Sequence, residues 1–182
     1  MTYTYVLVYL IKGRAKKYHL SLSRDLSKKF RIKNVGRRIE PHITLKFIGE
    51  INNYKMLREL EENIKEFTQS ERGFKIRLKG INHFSKNVIF VDVRKDKALI
   101  DFYNRLYSHL RKLSWMPSVR KFEGNNMHFH ATLAVDDISL KFNQIYNYIS
   151  NRTPQYVLSF RSVALIRKNK SKWKTYKEFK LR

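Results

Sequence analysis

The 182-residue chain has the length of one folded domain, and its hydrophobic content of 42% is enough to build a substantial core. It contains no cysteine, which excludes disulfide bonds, cysteine nucleophiles, iron–sulfur clusters and cysteine-ligated zinc. The net charge of +24 favours an anionic partner, either nucleic acid or an anionic membrane surface. An AT-rich coding bias would also enrich Lys, Ile, Asn, Tyr and Phe, so charge alone does not identify the partner.

The sequence pattern predicts neither a membrane span nor a signal peptide. No apolar run reaches the ~18 residues of a membrane span. Residues 3–11 are apolar but lack the basic region and the cleavage site of a signal peptide. Because the lack of cysteine also fits a reducing compartment, we expect a cytoplasmic, monomeric protein with one two-lobed domain over residues 1–182 and no membrane partner.

Hydrophobic periodicity predicts a chain of mostly regular structure. In chain order, the pattern predicts strand 3–10, strand 18–22, helix 23–30, strand 40–48, helix 54–68, strand 74–81, strand 87–93, helix 97–113, strand 127–135, helix 138–149, strand 156–167 and strand 173–181. Asn52 or Asn53 caps the second helix, and Asp136 or Asp137 caps the last. Neighbouring strands suit hairpin connections, which predicts an α+β fold with antiparallel or mixed sheets and helices on one face of each sheet.

Two short segments of the sequence resemble each other. His42-Ile-Thr44-Leu and His130-Ala-Thr132-Leu are both His-x-Thr-Leu, both lie in predicted strands, and they stand roughly half a chain length apart. Chance accounts for one such motif more easily than for two in the same context. The pair therefore indicates a duplicated architecture in which each half contributes one motif to a shared cleft.

The spacing within each motif has a geometric meaning. Side chains alternate along a strand, so the histidine and the threonine of each motif point to the same face. Two imidazoles can divide general acid and general base work near neutral pH. Two hydroxyls can donate hydrogen bonds to the non-bridging oxygens of a phosphoryl group. The pattern favours phosphodiester hydrolysis by paired histidines, with no metal and no cofactor.

The paired motifs, and the phrase His-Ile-Thr-Leu-Lys-Phe-Ile-Gly-Glu that begins at His42, resemble the two-histidine phosphoesterase superfamily. The nearest branch is the family of 2′-5′ RNA ligases and RNA 2′,3′-cyclic phosphodiesterases. One departure is Phe129, since the family usually has Pro before the second motif. Residues 119–122 resemble the usual approach to that motif, whereas residues 123–127 look inserted.

The resemblance implies a bilobal, pseudo-duplicated α+β fold with two antiparallel sheets facing a central cleft and helices on the outer faces. It implies an enzyme that opens terminal 2′,3′-cyclic phosphates of single-stranded RNA or tRNA fragments to 2′-phosphates. By this analogy His42 is the general acid, His130 is the general base, and Thr44 and Thr132 hold the phosphate oxygens. The sequence does not fix which histidine is the acid.

Four further residues are candidates for substrate binding. His128 shares the predicted strand face of His130, and Lys46, two residues after Thr44, shares the predicted face of Thr44 and suits a phosphate contact. Arg167 and Tyr176 lie in the C-terminal strands and suit RNA contacts. The alternative for each is an ordinary structural or solvated residue, which we also expect for His19, His83 and His109.

Other functions compatible with the motifs remain open. The same site suits a 2′-5′ RNA ligase, in which a 5′-hydroxyl replaces water. It also suits an enzyme acting on a cyclic nucleotide or a 2′-5′ oligonucleotide. A basic RNA-binding protein with little or no catalysis on the same fold is the alternative outside the enzyme class.

Overall fold

The computed structural model describes residues 2–118, 123–124 and 127–182, so the predicted approach segment 119–122 lies outside the described residues. The strands are β1 (Tyr3–Leu10), β2 (His42–Ile51), β3 (Phe74–Phe84), β4 (Val88–Val93), β5 (His130–Val135), β6 (Gln155–Phe160), β7 (Ser162–Asn169) and β8 (Lys172–Lys180). The α-helices are α1 (Gly13–Phe30), α2 (Tyr54–Ser70), α3 (Lys97–Leu110) and α4 (Phe142–Ile149). Short 3-10 helices at Val35–Arg37 and Ser139–Lys141 lie between these elements.

The strands form two four-stranded sheets in which every neighbouring pair is antiparallel. The first sheet has the order β2-β1-β7-β8 and the second has the order β5-β4-β3-β6. This arrangement confirms the predicted α+β class with two antiparallel sheets. The edge strands β2 and β5, which carry the two His-x-Thr motifs, lie next to each other.

One continuous apolar core joins both sheets to the helices. Each helix is amphipathic and contributes its apolar stripe to this core, as α1 does with Leu22 and Leu26 and α2 does with Leu60 and Ile64. We call the sheet faces that pack on this core the helix-side faces, and the opposite faces the cleft faces. No helix in the described part of the chain combines the length and the apolar character needed to cross a membrane.

The cleft faces follow from strand alternation. In the first sheet, Val6, Val8 and Leu10 form a separate small apolar cluster on the face opposite the core. In the second sheet, Val91 and Ala131 pair with each other inside the core, so the residues that alternate with them define the cleft face.

The N-terminal helix corrects one prediction from the sequence. The predicted strand 18–22 and helix 23–30 are one helix, α1, which begins at Gly13. Its buried residues recur at helical spacing: Ala15, His19, Leu22, Ser23 and Leu26. This face packs against the second sheet, and that tertiary contact outweighs the local strand preference of the Tyr18 region.

The C-terminal strands correct a second prediction. The predicted strand 156–167 is two strands, β6 and β7, which are separated at Arg161 and belong to different sheets. The chain therefore passes from the second sheet to the first within a single residue. Only Arg161 separates two segments that are both rich in strand-forming residues, which is why the sequence pattern resembles one strand.

Helix caps match the sequence only in part. Asn53 caps α2, and its side-chain oxygen accepts a hydrogen bond from the backbone N–H of Lys55. Neither Asp136 nor Asp137 caps α4, because the turn Ser139–Lys141 precedes that helix. Asp137 instead accepts a hydrogen bond from the backbone N–H of Lys33.

Candidate active site

The end of β2 places the first motif on the cleft face. His42 is the register partner of Leu10, and Thr44 is the partner of Val8. Ile43, between them, is completely buried on the helix-side face. Both motif side chains are only partly buried, so they remain partly exposed on the cleft face.

The start of β5 repeats this arrangement in the second sheet. His130 is the register partner of Asp92, and Thr132 is the partner of Phe90. Ala131 is buried in the core, whereas His130 and Thr132 are partly exposed. The predicted alternation therefore holds in both motifs.

The two imidazoles lie within electrostatic range of each other. Burial lowers the pKa of His42 from 6.5, and the nearby His130 lowers this pKa further, while the hydrogen bond to Glu40 raises it. Burial is also the main reason why the pKa of His130 is lowered from 6.5. Each ring is therefore mostly neutral at pH 7 in the free protein.

Both rings are anchored in the same way. His42 donates its Nδ1–H to the carbonyl oxygen of Glu40, and His130 donates its Nδ1–H to the carbonyl oxygen of His128, both at 2.8 Å. A carbonyl can only accept, so Nδ1 carries the hydrogen in each neutral ring. The Nε2 atom of each ring is thus left to accept or donate a proton.

The two motif threonines keep their hydroxyls available. Neither Thr44 nor Thr132 makes a side-chain hydrogen bond to another residue in the described ranges. Each hydroxyl stands two residues after a histidine on the same face. Together, the four side chains can supply an acid, a base and two neutral donors.

His128 lies beside His130, as the sequence predicted. Its Nε2 atom contacts Oδ1 of Asp92 at 2.8 Å, and the centroids of the two histidine rings are 6.5 Å apart. The second carboxylate oxygen of Asp92 accepts a hydrogen bond from Asn82. Within the residues that the structure describes, no group of three or more His, Cys, Asp or Glu side chains is placed to hold a metal ion.

Two residues of this site were missed at the sequence level. Asp92 is an acidic residue inside an otherwise apolar strand, and that contrast was an available signal. Phe84 had no such signal, because its role depends on the register of the hairpin. Its exposed ring contacts the rings of both His128 and His130, with centroid distances of 5.2 and 4.9 Å.

The prediction that Lys46 shares a face with Thr44 is wrong. Leu7 pairs with Lys46 and Val8 pairs with Thr44, so a β-bulge inserts one extra residue in β2 and reverses the alternation. Lys46 is 2% exposed and forms an ion pair with Glu123 at 2.5 Å. Its ammonium also lies over the ring of Tyr107, so Lys46 belongs to the core side of the sheet.

Arg167 and Tyr176 are also placed away from the motifs. Arg167 pairs with Tyr5 on the helix-side face, and its guanidinium stacks on the rings of Tyr3 and Tyr176. The Tyr176 hydroxyl donates to Glu61 of α2 at 2.7 Å, and burial together with this carboxylate raises the pKa of Tyr176 to about 12. The structure thus contradicts their assignment to the substrate cleft, because the sheet lies between them and Thr44.

The other three histidines have different surroundings. His83 packs against the rings of Phe142 and Tyr146, and His109 contacts the carbonyl oxygen of Asn63. His19 is 3% exposed, and burial lowers its pKa to about 4. Neither of its ring nitrogens has a hydrogen-bond partner within the described residues.

Known proteins share both sequence and fold with this chain. A family model, the 2′-5′ RNA ligase superfamily, matches residues 19–172. The RNA 2′,3′-cyclic phosphodiesterase of Archaeoglobus fulgidus is 34% identical over 84 residues, which cover 42% of this chain and less than half (46%) of that protein.

Solved structures show the same fold. E. coli LigT complexed with 3′-AMP matches with a TM-score of 0.67 and 17% identity, over 100% of this chain and 99% of LigT. The protein TT0787 of Thermus thermophilus matches with a TM-score of 0.65 and 16% identity, over 98% of each chain. At these identities the similarity concerns the fold.

Proposed function

Because this chain belongs to the 2′-5′ RNA ligase superfamily, we propose that it is a metal-independent RNA 2′,3′-cyclic phosphodiesterase. It opens a cyclic phosphate at the end of an RNA strand and leaves a 2′-phosphate. The observation that carries this proposal is the pair of partly buried imidazoles, His42 and His130, each with Nδ1 on a carbonyl and Nε2 left for proton transfer.

In the proposed reaction, His130 is the base and His42 is the acid. Nε2 of neutral His130 takes a proton from water as the water oxygen attacks phosphorus. The bond from phosphorus to O3′ breaks, and the protonated Nε2 of His42 gives its proton to O3′. The products are a 2′-phosphomonoester and a 3′-hydroxyl, and proton exchange with solvent restores both rings.

The remaining side chains of the cleft stabilise the phosphoryl group. The hydroxyls of Thr44 and Thr132 donate to its non-bridging oxygens, where negative charge is held during the reaction. His128, which Asp92 holds in place, contacts the phosphate or the adjoining nucleotide. An acid and a base both come from side chains, so no proton transfer in this sequence needs a metal-bound water.

Three observations support RNA as the substrate. The partly matching relative from Archaeoglobus fulgidus is named for activity on RNA 2′,3′-cyclic phosphates. A nucleotide, 3′-AMP, is bound in the structure of E. coli LigT, which has the same fold. The net charge of +24 favours a polyanion.

RNA ligation is the second candidate, and the name of the matching superfamily favours it. A 5′-hydroxyl of a second RNA strand would take the place of water, and a 2′-5′ bond would form. The same two histidines would transfer the protons. The two functions differ only in the nucleophile that reaches the phosphorus.

Product analysis tests the proposal. Wild-type protein is incubated in EDTA with RNA that ends in a 2′,3′-cyclic phosphate, alone and with a second RNA that carries a 5′-hydroxyl. We expect the 2′-phosphate isomer from RNA alone, identified by chromatography against 2′- and 3′-phosphate standards. A 3′-phosphate product, or no product without added metal, would overturn the proposal, and joined strands would identify the ligase.

A further inference from the structure

A row of basic residues runs along β3 of the second sheet, on the face that carries His130. Lys75, Arg77 and Lys79 of β3 are exposed, and they alternate with the buried residues Ile76 and Leu78. The buried residues belong to the core, so the three basic side chains project from the cleft face. We call these three residues the β3 basic row.

Strand register connects this row to the catalytic edge. Asp92 of β4 is the partner of His130 on one side. On its other side, β4 pairs Val93 with Leu78 and Val91 with Ile81, so a bulge places Lys79 and the next residue opposite Asp92. Because neighbouring strands are about 4.8 Å apart, Lys79 lies about 10 Å from His130 across the sheet.

The rest of the row leads away from the site. Arg77 and Lys75 follow Lys79 along β3 at intervals of about 7 Å, the repeat of two residues in a strand. Asp96 accepts a hydrogen bond from Arg77 at 2.7 Å and pairs with Arg94 at 3.1 Å, which orients Arg77. Lys75 and Lys79 form no ion pair with any residue in the described ranges.

Apolar groups accompany these charges on the same face. Val157 of β6 is the partner of Arg77 and is 62% exposed. Phe84 of β3 is 36% exposed and lies against His130. Single-stranded nucleic acids bind surfaces that combine a track of cations for the phosphates with exposed apolar or aromatic side chains for the bases.

We infer that single-stranded RNA, with its cyclic end at His130, runs across the cleft face of the second sheet along the β3 basic row. Lys79 contacts a phosphate adjoining the terminal nucleotide, and Arg77 and Lys75 contact phosphates further along the strand. This inference rests on the proposed function and deepens it, since it makes the substrate an RNA strand of several nucleotides and not a mononucleotide.

A charge-matched pair of variants tests the inference. The row variant carries Lys75→Gln, Arg77→Gln and Lys79→Gln. The control variant carries Arg24→Gln, Lys28→Gln and Lys65→Gln on exposed surfaces of α1 and α2, so the net charge changes equally. Thermal melting of both variants checks that they fold.

Binding is measured with a fluorescein-labelled single-stranded RNA that ends in a 2′-phosphate, over a range of NaCl concentrations. A plot of log affinity against log salt has a negative slope, and each lost phosphate contact makes that slope shallower by about 0.7. The slope of the row variant should therefore be shallower by about 2, and the variant should bind at least about tenfold more weakly at low salt. The control variant should keep the wild-type slope. Equal slopes for the two variants would overturn the inference, as would a row variant that loses binding to phosphatidylserine vesicles and keeps its affinity for RNA.

Turnover of a 2′,3′-cyclic mononucleotide separates this inference from the proposed function. The row variant should hydrolyse the mononucleotide at the wild-type rate and lose efficiency only on the longer RNA. If wild-type protein turns over neither substrate, the proposed function fails, while the binding slopes still decide the path of the strand. Equal losses on both substrates would contradict the inference, because the row would then act on the reacting group.

Discussion

His130, the first residue of the second motif, donates the Nδ1–H of its ring to the carbonyl oxygen of His128, 2.8 Å away. His42 makes the same contact with Glu40 in the first motif. The backbone immediately before each motif therefore sets the tautomer of its histidine. Both Nε2 atoms are left as the titrating positions, as acid–base exchange between two rings requires.

The pH profile should be displaced toward acid. Turnover needs one histidine protonated and the other neutral, and burial lowers both pKa values below 6.5. In the free protein, the protonated acid becomes scarce above pH ~6.5, so kcat/KM should fall about tenfold per pH unit there. Bound phosphate favours the imidazolium, so the fall in kcat should occur at higher pH than the fall in kcat/KM. A kcat/KM that keeps rising above pH ~8 would contradict these assignments.

The hydroxyl groups of Thr44 and Thr132, and not the bulk of their side chains, should contribute to kcat/KM. Thr44→Val and Thr132→Val keep the shape of the side chain and remove one hydrogen bond to a charged oxygen, worth about 1.5–3 kcal/mol. Each should lower kcat/KM about 10- to 100-fold without lowering the melting temperature. Thr44→Ser and Thr132→Ser restore the donor and should recover most of the activity. Serine variants as impaired as the valine variants would show that packing, and not the hydroxyl, is responsible.

Lys46 should be important for stability and not for substrate affinity. It is buried with Glu123, and Lys46→Met removes one partner of this buried ion pair, a change that costs about 3–5 kcal/mol. Denaturant unfolding should show this loss, and the double variant Lys46→Met with Glu123→Leu should recover most of it. A raised KM for RNA with unchanged stability would instead support the phosphate contact expected from the sequence.

His19 should make the fold sensitive to acid. Its folded-state pKa is about 4, whereas an unfolded histidine titrates near 6.5. Between these values the unfolded chain binds more protons, so stability is fully present above pH ~6.5 and is lost as the pH falls toward ~4. The loss amounts to about 3 kcal/mol for the whole shift. His19→Leu should reduce the difference in melting temperature between pH ~7 and pH ~5, and an unchanged difference would contradict this role.

The sequence was informative where one face of a strand or helix is buried. Alternation in the two His-x-Thr segments predicted correctly that His42 and Thr44 share a face, as do His130 and Thr132. It failed two residues after Thr44, at Lys46, because a β-bulge adds a residue to β2 and leaves no mark in the hydrophobic pattern.

Placement across the sheets was outside the reach of the sequence. Arg167 and Tyr176 are basic and aromatic residues of the kind that RNA sites use. Register with Tyr5 places Arg167 on the helix-side face, and the ring of Tyr176 packs against Tyr5 on the same face. Phe84 reaches His130 only because of the pairing of β3, β4 and β5. Contacts between residues that are distant in sequence depend on which strands are neighbours in a sheet. The pattern of a single sequence predicts the strands but not their order.

The central claim is that two histidines, one from each motif, perform the chemistry without a metal. The most direct measurement is kcat/KM on RNA with a 2′,3′-cyclic phosphate end, in EDTA, for His42→Ala, His130→Ala and the control His83→Ala, whose ring also contacts a backbone carbonyl through Nδ1. We predict that the first two variants each lose about 10²- to 10⁴-fold and that the control keeps wild-type activity. Wild-type activity in either motif variant, or loss of wild-type activity in EDTA, would contradict the claim.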